Sequence, residues 1–230
     1  VELKNLETDE ITTEPYDKLV LSPGAASIRP PLPGIDLPGI FEVKTVPDAR
    51  SIREWLQKGS QFLTGMDRYS GFQTARPKTR AVVVGAGFIG LETAENLAHR
   101  GFDVTVLEMG NQVLAPIDCE MARIVEGFLE RNGVRVIVDD GAAEFRQTDS
   151  GALEVVTQSG ETHPADIVIL GMGVQPETAL AKEAGLEIAS RGGILVDDQM
   201  RTSNPDIFAV GDAIEVKDFI TGEQSLVALA

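Results

Sequence analysis

The sequence has one cysteine, Cys119, in 230 residues, so no internal disulfide can form. That suits a reducing compartment, and the chain reads as cytoplasmic. No apolar run approaches ~18 residues, which excludes a membrane-spanning helix. The opening VELKNLETDE is charged from its second residue and lacks the apolar stretch of a signal peptide. Positive charge is scarce: 20 Lys and Arg face 36 Asp and Glu, for a net charge of −16. That balance repels phosphate backbones and anionic bilayers, and so argues against nucleic acid and membrane partners. No group of residues has zinc or calcium ligand spacing, so no metal is expected. No GxSxG nucleophile motif occurs either. His99 and His163 have no partners at metal spacing and read as a helix-end and a loop histidine. Cys119 opens a helix, a position that in general favours a thiolate, but Asp118 and Glu120 flank it and oppose the charge. It is not read as catalytic.

What is present is ordinary globular composition, 43% hydrophobic and 24% charged. A chain this long folds as one large or two small domains and buries roughly 70% of its unfolded surface without staples. Residues 1–4 and 10–13 suit a hairpin. Tyr16–Leu21 suits a short strand ended by Ser22-Pro23-Gly24. RPPLPGIDLPG, at 29–39, is an extended connector. Ile40–Val43 reads as a strand. Thr45 is placed to cap a helix with Pro47 and Asp48 in its first turn and Ile52, Trp55 and Leu56 on one face. Residues 57–77 show no period and receive no element.

From residue 81 the pattern sharpens. Strand 81–84, helix 88–100, strand 103–108, helix 119–132 and strand 134–138 alternate, with Gly101 and Gly133 ending the helices and Asp118 capping the second. Such alternation implies a parallel sheet with right-handed crossovers. Residues 142–147 and 153–158 flank the turn TDSG as antiparallel strands. DIVILGMG, at 166–173, is a buried strand by its unbroken apolar run. A short helix is expected over 176–184, a turn at Gly192-Gly193, and a buried strand in NPDIFAVGDA at 204–213. The fold class is α/β, a Rossmann-like parallel sheet with a β-meander, flanked by segments of a second domain.

AVVVGAGFIGLETAENL, at 81–97, places Gly85, Gly87 and Gly90 between an apolar strand and a helix. Gly85 permits a tight turn, Gly87 lets a pyrophosphate approach the backbone, and Gly90 lets helix pack on strand. The amides of the helix's first turn then face the phosphates. Glu108 ends the next strand, 18 residues after Gly90, where a carboxylate can accept both hydroxyls of an adenine ribose. Met109, Gly110 and Asn111 supply no cation. A 2′-phosphate would meet Glu108 uncompensated, at a cost of about 4 kcal/mol for charges ~4 Å apart at an effective dielectric near 20. NAD is therefore favoured over NADP.

GAGFIGLETAENL, VLE, ILGMGVQPE and TSNPDIFAVGDA, in this order, resemble the FAD-dependent pyridine nucleotide–disulfide oxidoreductases. Within these the sequence is most similar to the branch of CoA-disulfide reductases, NADH oxidases and NADH peroxidases. The resemblance implies an FAD domain interrupted by an NAD domain: FAD-domain pieces over 1–47 and 193–230, and the NAD domain over 48–192. It implies that Ser22, Pro23 and Gly24 approach the FAD and that Gly211 and Asp212 hold the flavin's ribityl chain. It places Glu92 near the isoalloxazine ring and Phe88, with Ile89, near the flavin–nicotinamide contact. Gly171, Met172 and Gly173 would pass the nicotinamide end of NADH. The family's first GxGxxG, its redox cysteine and its dimerisation domain have no counterpart here, so the chain is expected to be a central piece of a longer protein, a homodimer in its full form. The parent would pass hydride from NADH to FAD and on to a disulfide, persulfide, peroxide or oxygen. Alternatives are a reductase of a ferredoxin, rubredoxin or sirohaem partner, and, for the isolated chain, a nucleotide-binding module without catalysis.

Overall fold

The computed structural model describes residues 1–64, 78–149 and 151–226, with backbone alone over 58–64. The described chain forms two compact units, one of Ser27–Gly173 and one of Val1–Ala26 with Val174–Ala230.

The larger unit is built on a five-stranded parallel sheet in the order Ile40–Glu42, Ile167–Leu170, Arg80–Val84, Asp103–Leu107, Val134–Ile137. Both faces of these strands are apolar because both are covered. One face, with Ala81, Val83, Val104, Val106, Ile167 and Ile169, packs on helices Phe88–His99 and Cys119–Arg131 and on Ile52, Trp55 and Leu56 of Val46–Thr64. The other, with Val82, Val84, Leu107, Val168 and Leu170, is covered by an antiparallel meander of Ala142–Gln147, Leu153–Thr157 and Thr162–Ala165. Phe145, Leu153, Val155 and Ala165 fill that layer, with Leu32, Ile35 and Leu37 from the proline-rich connector.

Helix Val46–Thr64 starts as Thr45 and Asp48 dictate. Asp48 Oδ2 accepts from the Thr45 amide at 2.7 Å and the Thr45 hydroxyl at 2.9 Å. The Asp48 amide donates back to Thr45 Oγ1 at 3.4 Å, a reciprocal cap. These bonds hold the Asp48 carboxyl below its usual range. Thr45→Ala is expected to lower thermal stability by about 1 kcal/mol in a denaturant melt at neutral pH. A depressed carboxyl contributes its full stability above its unfolded value of about 3.9 and loses it as pH falls through the lower folded value, so the difference should shrink over that range.

Several elements depart from expectation. The helix from Val46 runs to Thr64, so residues 57–64, read from sequence as having no element, are helical; the rest of that stretch, 65–77, lies outside the described residues. The meander gains a third strand, Thr162–Ala165, because His163 and Ala165 turn inward at period two. The short helix begins at Ala179, not at 176, since Pro176 sits in a strand, Val174–Pro176. Asp118 has the extended backbone of an N-cap, but its side chain makes no capping bond.

In the smaller unit Leu19–Leu21 pairs in parallel with Ile207–Ala209, and Ile194–Leu195 in parallel with Ile214–Lys217, which pairs with Gln224–Ser225. Glu2–Lys4 and Ile11–Thr13 form the expected hairpin. Ala181, Leu186, Ile194, Ile207 and Ala209 make the core. The units divide after Ala26 and after Gly173, whereas the sequence placed the breaks at 47/48 and 192/193. Ile40–Glu42 joins the edge of the parallel sheet, and the Phe145 amide donates to Pro33 O at 2.8 Å, which ties the connector to the meander. Ala181 and Leu186 instead fill the smaller unit's core.

Candidate functional site

The glycine turn follows Arg80–Val84 and opens helix Phe88–His99. Gly85 and Gly90 each have a steric reason. Gly85 has φ +103°, and a Cβ there would strike the carbonyl of Gly171. A Cβ on Gly90 would strike the carbonyl oxygen of Gly85, and one on Gly171 would come within 2.9 Å of Gly90 Cα. Gly85, Gly90 and Gly171 are thus pressed together where the strands Arg80–Val84 and Ile167–Leu170 end. Gly87 differs: its backbone is extended (φ −76°, ψ −176°), and nothing lies within 4 Å of where its Cβ would stand. It is the helix N-cap and makes no side-chain cap, so the first-turn amides of Phe88, Ile89 and Gly90 have no intrahelical partner. An open edge with free amides at a positive helix end is a cradle for an anion such as a pyrophosphate.

Glu108 stands next to this edge. Its Oε2 accepts from the Ala86 amide at 2.6 Å and its Oε1 from the Gly110 amide at 2.7 Å. The sequence predicted the acid but not these bonds. They fix the carboxylate's orientation and leave further lone pairs for two ribose hydroxyls. Met109 beside it is exposed, and Phe88 and Ile89 at the turn are 48% and 39% exposed. Glu92 is also exposed, on the wall of an apolar groove of about 740 Å³ between helices Val46–Thr64 and Phe88–His99, lined by Ile52, Leu56, Leu97 and Phe102.

Gly171, Met172 and Gly173 divide in role. Gly171 is a packing residue as described, and Met172 leans on the meander-side core. Gly173 has φ +91° and is exposed, and its carbonyl accepts from the Ile28 amide at 2.9 Å.

In the smaller unit the parallel pair Leu19–Leu21 and Ile207–Ala209 delivers Ser22-Pro23-Gly24 and Gly211-Asp212 from adjacent strand ends. The Val210 amide donates to Leu21 O at 3.0 Å, and a Cβ on Gly211, at φ +77°, would lie 3.6 Å from Ser22 Oγ. Gly24, at φ +74°, faces open space. Asp212 Oδ1 is buried without a hydrogen-bond partner. A buried carboxylate oxygen left unpaired costs free energy, so this atom is suited to a hydroxyl donor such as a ribityl chain. That unmet acceptor is compatible with the flavin's ribityl chain, the group the resemblance implies here.

Sequence reasoning missed the layer behind Glu108. The Asp140 amide donates to Glu108 O at 3.1 Å and the Asp139 amide to Gly110 O at 2.8 Å. Asp139 has φ +57°, a left-handed position that aspartate tolerates better than most residues. The Asp140 carboxylate is buried and accepts from the Ser159 hydroxyl at 2.6 Å and the Ser159 amide at 2.9 Å. The Ser159 hydroxyl in particular holds the Asp140 carboxyl below its usual range. The doublet Asp139-Asp140 after a strand was the available signal. Ser159→Ala is expected to cost about 1–3 kcal/mol, since Asp140 loses its hydroxyl donor. The contribution exists above the unfolded carboxyl value and is lost as pH falls through the lower folded one. Melts of the two proteins should therefore begin to converge once pH falls below about 4.

Cys119 is exposed, its thiol 3.3 Å from Glu120 Oε2. His99 ends a helix, as read. His163, read as a loop residue, is buried on strand Thr162–Ala165. Among the described residues no group of His, Cys, Asp or Glu is arranged to hold a metal ion, and no helix is long and apolar enough to cross a membrane.

A parallel sheet with a glycine turn, a carboxylate at the end of the next strand and a covering meander defines a Rossmann-like class. The family model described as pyridine nucleotide-disulphide oxidoreductase matches residues 1–228, and the chain belongs to that family. It is 40% identical over 212 residues to the NADH oxidase of Methanocaldococcus jannaschii, covering 92% of this chain and 43% of that protein. Against the solved structure of reduced Bacillus anthracis CoADR-RHD the TM-score is 0.86 at 40% identity, covering 99% of this chain and 38% of the other. Against a NAD-dependent persulfide reductase from A. fulgidus it is 0.85 at 33% identity, with 99% and 38% covered. The chain therefore spans under half the length of these relatives.

Proposed function

We propose that these residues supply the NADH site, and part of the FAD site, of a cytoplasmic, homodimeric flavoprotein that accepts hydride from NADH. The electrons then pass to a disulfide, persulfide, peroxide or oxygen. The observation that carries this reading is the open edge at Gly87 beside a carboxylate locked by two backbone amides.

When bound, FAD supplies the hydride-accepting chemistry. The chain's own residues bind and orient. The first-turn amides after Gly87 take the pyrophosphate, and Glu108 takes the ribose hydroxyls and disfavours a 2′-phosphate. Gly173, exposed at the end of the loop 171–173, lets the nicotinamide end pass close to backbone. Phe88 and Glu92, both exposed, are available to the ring systems. In the smaller unit Asp212 Oδ1 accepts a flavin hydroxyl, and Ser22, Pro23, Gly24 and Gly211 leave the backbone accessible beside it. In this reading Ser27–Gly173 is the NAD-binding unit, and the other belongs to the FAD-binding domain.

The test is anaerobic titration of the full-length flavoprotein with NADH. Bleaching of the flavin absorbance is expected with NADH, and more weakly with NADPH. A flavin that stays oxidised with NADH in excess would overturn the reading. The 230-residue chain on its own is expected to purify without yellow colour.

A further inference from the structure

A second pocket lies at the opposite end of the parallel sheet from the glycine turn. Strand alternation places Arg80, Val82 and Val84 on one face, with Asp103, Thr105 and Leu107 beside them and Arg135 and Ile137 next. Val82, Val84, Leu107 and Ile137 belong to the apolar layer under the meander. Toward the strand starts the same face turns polar: Arg80, Asp103, Thr105 and Arg135. The meander's last strand covers this end only with His163 and Pro164, and a cavity of about 230 Å³ remains, lined by these side chains and Ala81.

The lining has donors that the protein does not use. Arg80 is occupied: it holds Asp166 through Nη2 at 2.8 Å and Nε at 3.3 Å. Arg135, exposed at its strand, has no ion pair or side-chain hydrogen bond among the described residues. His163 is 6% exposed, and its Nε2 is buried with no hydrogen-bond partner. The nearest carboxylate oxygen to it in an ion-pair sense, Glu161 Oε2, is 3.9 Å away, too far for a hydrogen bond. A buried ring nitrogen without a partner costs free energy unless something else satisfies it. Asp166 neutralises Arg80, and the Asp103 carboxylate balances Arg135, so the cavity carries no net charge. What it offers is a complementary set of hydrogen-bonding groups: the Arg135 guanidinium, the Thr105 hydroxyl and the imidazole as donors, and the Asp103 carboxylate as acceptor.

We propose that this pocket binds a small protonated oxyanion of the hydrogen-phosphate class, free or as the terminal group of a larger molecule. Arg135, Thr105 and His163 donate to its oxygens, and Asp103 accepts from its remaining O–H. The site is separate from the dinucleotide edge, because it lies at the strand starts and the glycine turn at the strand ends.

The protein has only two histidines, so its imidazole nitrogen spectrum provides both a probe and a reference. His99, exposed at a helix end, is the reference. The probe is inorganic phosphate added to the 230-residue chain at constant ionic strength, near pH 7, with NADH saturating the glycine turn. The expected result is a saturable shift of the His163 resonances with His99 unmoved, weakened about tenfold or more in Arg135→Gln. Sulfate, which has no O–H at this pH, should bind less well than phosphate, and Asp103→Asn should narrow that gap. A phosphomonoester binding as well as phosphate would show that the site takes a terminal group; phosphate alone would show a free ion. Non-saturating shifts, or equal movement of both histidines, would overturn the proposal. So would unchanged phosphate binding in Arg135→Gln, which changes an exposed side chain and leaves the core intact.

Discussion

Alanine at Gly85 is expected to lower the melting temperature by roughly 10 °C, while aspartate at Gly87, two residues on, leaves it nearly unchanged. At Gly85 the methyl group would strike the Gly171 carbonyl, and φ of +103° is strained for any L side chain. Overpacking against backbone and the dihedral strain together amount to about 3 kcal/mol or more, and a domain of this size loses about 2–4 °C per kcal/mol. Gly90→Ala meets the Gly85 carbonyl and should follow the same course through overpacking alone. Gly87→Asp meets nothing within 4 Å and occupies an N-cap, where aspartate is favoured. It nevertheless places a carboxylate where the pyrophosphate is proposed to lie, so calorimetry should show NADH binding weakened by about a hundredfold or more. The paired result, one glycine needed for folding and the other for ligand, is what distinguishes a working nucleotide turn from a tight turn. If Gly87→Asp bound NADH like the parent chain, the turn would be structural only.

Glu108→Ala is expected to weaken NADH binding about 10–100-fold, the worth of charge-assisted hydrogen bonds to ribose hydroxyls. It should also narrow the NADH-to-NADPH preference, because the charge that opposes a 2′-phosphate is gone. The same variant leaves the amide of Ala86, a residue 1% exposed, without its acceptor, at about 1–3 kcal/mol of stability. Glu108→Gln separates the two effects. It keeps one acceptor for a backbone amide while removing the charge, so it should recover part of the melting temperature and none of the phosphate discrimination. An unchanged NADH-to-NADPH ratio in both variants would remove Glu108 from cofactor selection.

The parallel sheet was legible because its strands are short unbroken apolar runs and its helices end at glycines, Gly101 and Gly133, with φ of +85° and +81°. Local signals of this kind survive without knowledge of the tertiary partners. The extension of helix Val46–Thr64 was not legible, because beyond Leu56 the segment QKGSQ has no apolar face to set a period. The strand Thr162–Ala165 was hidden by Pro164, which sits where a proline can only be accommodated by a missing ladder donor. The compact units divide elsewhere than at the 47/48 and 192/193 boundaries the resemblance implies, because membership in a sheet is decided by pairing: Ile40–Glu42 looks no different in sequence from the strands of the smaller unit. At the site, residue types and spacing pointed to Gly85, Gly87, Gly90 and Glu108. They did not reveal that Gly171 packs on the first turn, nor that Asp140 and Ser159 support the acid from behind. Those contacts join residues far apart in the chain, and no local pattern encodes them.

The contact of Gly85, Gly90 and Gly171 also has a mechanical consequence. It joins the loop proposed to hold the pyrophosphate to the loop proposed to pass the nicotinamide, at one backbone-to-backbone junction with no side chain to act as a spring. The two loops therefore form the fixed ends of a ruler. On the proposed reading, a dinucleotide is measured against a set length as well as recognised by its groups, and analogues with a shortened or lengthened bridge should fail even when both ends are unaltered.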